Sequence, residues 1–128
     1  MNVELYKQLS SKTDPYLNEL FCVEALGWFY KQGKLWSDAH RGWTDLELSR
    51  WNGNVPRDYC GKLAEIFPYF DQFECPEKRI SQFKHLHNKM VWGVTLSAAS
   101  TAIDIFLSRA IVIAIILQLR ANKENENI

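Results

Sequence analysis

The stretch Ala110 to Leu117 contains no polar side chain, and it constrains the fold more than any other part of the chain. Together with Ile103, Ile105, Phe106 and Leu107 it predicts one helix over about residues 97–120, apolar on nearly every face. A helix of that kind must be surrounded. It can be covered by the other helices of its own domain, by a second copy of the chain, or by lipid. Lipid is disfavoured, because Asp104 and Arg109 would each cost about 2.5–3.5 kcal/mol at the centre of a membrane span. The uninterrupted run is also far shorter than the ~20 residues that a span needs. The expectation is a core helix that also serves as a homodimer seam over 97–120, with no membrane partner.

The rest of the chain reads as helical too. Residues 1–13 form one short helix with Val3, Leu5, Tyr6 and Leu9 inward. Asp14-Pro15 starts a second, because aspartate caps and proline suits the first helical position. Leu17, Leu20, Phe21, Ala25, Trp28 and Phe29 recur at helical spacing through Gln32, and Gly33 is a natural stop. A short helix over about Trp36–Arg41 breaks at Gly42. Thr44 and Glu47 make a capping box that opens a helix to Asn52. Pro56 begins another, ending before Pro68, and Pro68–Glu74 is an aromatic loop or single turn. Pro76 opens a helix with Ile80, Phe83, Leu86 (or His87) and Met90 on one face and Lys78, Arg79, Lys84, His85 and Lys89 on the other. The expected fold is therefore all-α. It is a compact bundle of about six helices, one domain over 1–121, with a polar tail at 122–128.

Composition fits one soluble domain. The chain has 128 residues, 47% of them apolar, which is enough for a core. Its 15 basic and 15 acidic residues cancel, so net charge does not announce a nucleic-acid binder. The basic excess lies between Glu77 and Arg120, not in the neutral stretch Lys34–Phe67. Cys22, Cys60 and Cys75 form no CxxC pair, which fits free thiols in a reducing compartment. No basic segment followed by an apolar core opens the chain, so the expected location is cytoplasmic.

Few residues suggest reaction chemistry. His85-x-His87 with Cys75 upstream is the one candidate metal set, but residues two apart on a helix point in nearly opposite directions. Asp38 and His40 lie close in sequence without a nucleophile motif, a phosphate loop or a paired-carboxylate pattern. The expectation is no catalysis, no metal and no cofactor. Trp28, Trp36, Trp43, Trp51 and Trp92 read mainly as core, with a peptide groove as a secondary possibility.

The stretch Gly42–Phe67 carries a recognisable order of parts. Gly42 makes a turn, Trp43 turns inward and Thr44 caps. Leu48-Ser49-Arg50-Trp51 ends the helix, and Gly53, Pro56 and Leu63-Ala64 follow. This resembles the helix-turn-helix of phage repressor-like proteins, over a unit of about 34–67. The resemblance implies a small DNA-binding transcriptional regulator whose helix 44–52 enters the major groove. Thr44, Asp45, Ser49, Arg50, Asn52 and Arg57 would then face DNA, and Lys34, Arg41 and Lys62 would hold phosphates. The alternative is a protein-binding inhibitor, adaptor or immunity-like module with no DNA partner and no catalysis.

Overall fold

The structure, a computed structural model, describes residues 3–31, 33–36, 56–84 and 86–126. The described residues form an α+β fold, not an all-α bundle. The order is α1 (Val3–Ser10), α2 (Asp14–Leu26), β1 (Phe29–Lys31), β2 (Lys34–Trp36), α3 (Leu63–Gln72), β3 (Arg79–Lys84), β4 (Met90–Ser97), β5 (Ser100–Asp104) and α4 (Leu107–Glu126). Strands β1 and β2 form an antiparallel hairpin. Strands β3, β4 and β5 form an antiparallel sheet in that order.

The helix expected over 97–120 divides. Its first part is the β4–β5 hairpin, and only from Leu107 is it helical. The hairpin turn, Ala98-Ala99, has neither glycine nor proline to mark it. Side chains close it instead. Ser97 N donates to Ser100 Oγ at 3.2 Å, and Ala99 N donates to Ser97 Oγ at 3.2 Å. Both hydroxyls then donate to Gln118 Oε1 of α4, at 2.5 and 3.0 Å. In β4, Val94 and Leu96 join the main core while Val91 and Thr95 are buried on the opposite face. A strand buried on both faces has no polar alternation and reads like a buried helix.

Helix α4 is the centre of the molecule. Every residue from Ala110 to Leu117 is at most 2% exposed within one chain. It touches β4 and β5 on the sheet side and α1, α2 and α3 on the others. Removing one large side chain here, as in Ile113→Ala, is expected to cost about 2–5 kcal/mol through lost transfer energy and the cavity left behind. Past the apolar run, Arg120 makes a bidentate pair with Glu24 of α2, Nε to Oε1 at 2.9 Å and Nη2 to Oε2 at 2.8 Å. The helix continues to Glu126, through most of the expected polar tail.

Helix α2 starts and stops one signal earlier than expected. Thr13 caps it, its Oγ1 accepting from Tyr16 N at 3.4 Å, and Pro15 sits in the first turn. Gly27 ends it at φ 75°, where the left-handed conformation costs glycine nothing, and Trp28 N returns to Cys22 O at 3.0 Å. Gly33, the expected stop, is in the β1–β2 turn at φ 73°. In α1, Leu9 is buried but Val3 is 48% exposed.

Helix α3 does not begin at Pro56. The carboxylate of Asp58 accepts from Gly61 N at 3.0 Å, and Asp58 O accepts from Lys62 N at 3.0 Å, so the chain turns before it enters the helix at Leu63. Asn18 of α2 holds this turn in place. Its Oδ1 accepts from Cys60 N at 2.9 Å and its Nδ2 donates to Asp58 Oδ1 at 3.4 Å. The helix then runs through Pro68, so the stretch expected as an aromatic loop or single turn is largely part of the same helix. An interior proline costs about 3 kcal/mol. Burial of Ile66 and Phe70, and the packing of Tyr69 against Phe21 at 5.2 Å between ring centroids, offset that cost.

Candidate functional site

The two edges of the three-stranded sheet differ. At Ile103 strand β5 is closed by a side chain from α1: the Tyr6 hydroxyl donates to Ile103 O at 2.7 Å and accepts from Ile103 N at 3.3 Å. Both backbone groups of Ile103 therefore face away from β4. Its register partner is Gly93, and Gly93 is in turn paired with Ser81. Backbone direction alternates along antiparallel strands, so Ser81 and Phe83 bond to β4 while Ile80, Gln82 and Lys84 turn their N–H and C=O outward. The 3.3 Å contact between the Thr95 and Thr101 hydroxyls agrees, because side chains come closer in non-hydrogen-bonded pairs. No described residue meets the outward groups of β3.

The side chains of this edge are open as well. Arg79, Ser81, Gln82, Phe83 and Lys84 are exposed and Ile80 is half-buried. Six register pairs to β4 run without a break, and the irregularity in the sheet lies between Thr95 and Ser97 on the β5 side. Phe83 leans over Gly93: a Cβ at Gly93 would sit 3.0 Å from Phe83 Cε1 and 3.3 Å from Ser81 Oγ. That close approach accounts for glycine in the middle of the central strand. After β3 the chain turns through His87 and Asn88, both left-handed at φ 65° and 60°. Arg79, Lys84 and Lys89 are exposed and form no ion pair with a described residue. Lys78 is held, its Nζ donating to Asp71 O at 3.3 Å and lying 5.4 Å from the centre of the Phe70 ring.

The expected helix over Pro76–Met90 is thus replaced by β3, a turn and the start of β4. Its supposed basic face is the rim of a strand. The signal in the sequence was the run of β-branched and aromatic residues over 80–103, among them Ile80, Phe83, Val91, Trp92, Val94, Thr95 and Thr101. Helical spacing of Ile80, Phe83 and Met90 competed with it.

The expected DNA-facing residues are mostly not placed. Arg41, Thr44, Asp45, Ser49, Arg50 and Asn52 lie outside the described residues, as do Asp38, His40 and His85. Lys34 is in strand β2, and so is Trp36, where the first helix of the unit was expected to begin. Arg57 pairs with Glu65, Nη1 to Oε2 at 3.1 Å, which raises its already high pKa. Lys62 is exposed just before α3.

Other sites are explained by structure alone. A groove of about 430 Å³ beside α1 is lined by Tyr6, Asp14, Val91, Asp104, Phe106 and Arg109 among others. Its guanidinium makes four hydrogen bonds: Arg109 reaches Asp14 at 2.5 Å, Asp104 at 3.0 Å, Ser10 O at 2.9 Å and Lys12 O at 2.7 Å. Burial pushes the Cys22 thiol up to about 12, although its bond with Tyr59 acts the other way, and burial pushes Cys60 up to about 12 as well. Neither is a nucleophile at neutral pH. Among the described residues no three metal-binding side chains converge, and no helix is long and apolar enough to cross a membrane. Comparison with protein families, with curated proteins and with solved structures found no match.

Proposed function

We propose that this chain is a protein-binding module that works without catalysis and receives its partner along the open edge of β3. One observation carries the reading: Tyr6 closes the β5 edge at Ile103, while among the described residues nothing meets the outward backbone groups of β3, whose side chains are mostly exposed. An unpaired strand edge is a template for strand addition, in which main-chain hydrogen bonds supply affinity and alternate side chains supply selectivity. Behind it, β4 packs on the buried helix α4, so the receiving edge is rigid.

The regulator reading rests on the resemblance over Gly42–Phe67, whose helix 44–52 lies outside the described residues. Arg57, one of its expected contacts, is engaged with Glu65. The two readings separate by co-purification of the native chain against a Gln82→Pro variant, with protein and nucleic acid scored in each. Proline at Gln82 removes an outward N–H and is tolerated on an edge strand. The protein-binding reading expects a protein partner that the variant loses. Duplex DNA retained equally by both chains would replace it.

A further inference from the structure

We infer that the strand received by β3 is an extended acidic segment of a partner protein, carrying two carboxylates about five positions apart with apolar residues between them. This rests on the reading of the chain as a protein-binding module. The strand Arg79–Lys84 ends in a cation on each side and contains no carboxylate. Arg79 and Lys84 have odd separation, so they emerge on opposite faces of the sheet. An added strand would satisfy both with carboxylates that are likewise on opposite faces, since opposite charges facing each other across strands are favourable. Between them, Phe83, 37% exposed, and the half-buried Ile80 offer apolar surface for β-branched side chains. Lys89 extends the positive rim beyond Lys84.

A second copy of this chain does not meet that requirement. Pairing β3 with β3 brings both copies' Arg79 and Lys84 to one seam, with no carboxylate in either strand to offset them. The two cations also protect the edge from indiscriminate pairing, since charge on an edge strand opposes self-association. The edge has no proline, and its pairing with β4 is unbroken. Charge is therefore the feature that selects the partner.

The test uses the whole chain and three labelled synthetic peptides: Glu-Val-Thr-Val-Thr-Glu, its counterpart Lys-Val-Thr-Val-Thr-Lys, and the acid-ended peptide with proline at its centre. Fluorescence anisotropy at low and physiological salt reads binding. The glutamate-ended peptide is expected to bind about tenfold more tightly than the lysine-ended one, and to weaken as salt rises. The double variant Arg79→Glu, Lys84→Glu, both at exposed positions, is expected to reverse the preference. The proline-centred peptide is expected not to bind. Equal binding of the two charged peptides, binding of neither, or an acid preference that survives the double variant would each overturn the acidic-segment inference. None of those results touches the co-purification outcome on which the protein-binding reading depends. Competition of duplex DNA for the bound peptide would overturn the inference by assigning the cations to phosphate.

Discussion

The Tyr6 hydroxyl serves both backbone groups of Ile103, 2.7 Å from its carbonyl oxygen and 3.3 Å from its nitrogen. One side chain near the start of the chain thus stands in for the next strand of the sheet at β5. The same contact fixes which groups of β3 point outward, because bonding direction passes from Ile103 through Gly93 to Ser81.

Tyr6→Phe keeps the ring and removes the hydroxyl. It is expected to cost about 1 kcal/mol, the net worth of a partly buried hydrogen bond, and to speed exchange of the Ile103 amide. Urea unfolding and amide exchange check both. Binding at β3 should be unchanged.

Arg109 is paired with Asp104 at the β5–α4 junction and joins it to the α1–α2 turn through three acceptors, Asp14, Ser10 O and Lys12 O. Its side chain is 11% exposed, and that of Asp104 is 16% exposed. Arg109→Met would leave Asp104 without its cation and is expected to destabilise by about 3–5 kcal/mol. Asp14, 47% exposed, is screened by solvent, so Asp14→Asn should cost less than about 1 kcal/mol. Urea midpoints of the two variants test the ordering.

Cys22 and Cys60 keep their protons in the folded chain up to about pH 12, against an ordinary value of 9.0. Above pH 9 the unfolded chain releases protons that the folded chain retains, so stability should fall as pH rises from 9 toward 12. Below pH 9 the two thiols should add no pH dependence. Urea midpoints across that window are expected to fall less steeply for Cys22→Ala and Cys60→Ala than for the native chain. A thiol reagent at neutral pH should label the half-buried Cys75 first, with the other two following on unfolding.

Gly93→Ala would press its new methyl group on Phe83 Cε1 and Ser81 Oγ. Overpacking of this kind costs about 1–3 kcal/mol. The cost should shrink in the Phe83→Leu background, where the ring edge is gone. Additive effects in the double variant would show that the two residues do not press on each other.

The buried run Ala110–Leu117 was legible because eight consecutive apolar residues leave a helix no solvent face. The start of α2 was also legible, to within one residue, because proline and a neighbouring cap are local signals. The sheet was not legible. Val91–Leu96 is buried on both faces, so the alternation that marks a strand is missing, and Ala98-Ala99 conceals the turn that Ser97 and Ser100 close by side-chain bonding. The β3 edge could not be read from Arg79–Lys84 alone. Which of its backbone groups turn outward is read through Gly93 from the Tyr6–Ile103 contact, a relation between residues 97 positions apart.

Amide hydrogen exchange along β3, in the chain alone and with the glutamate-ended peptide, tests the central claim most directly. In the free chain Ser81 and Phe83 should be protected while Ile80 and Gln82 exchange quickly. Saturating peptide should then slow Ile80 and Gln82 selectively. Protection of Ile80 and Gln82 in the free chain, or exchange there that saturating peptide leaves unchanged, would contradict an open edge that receives a partner strand.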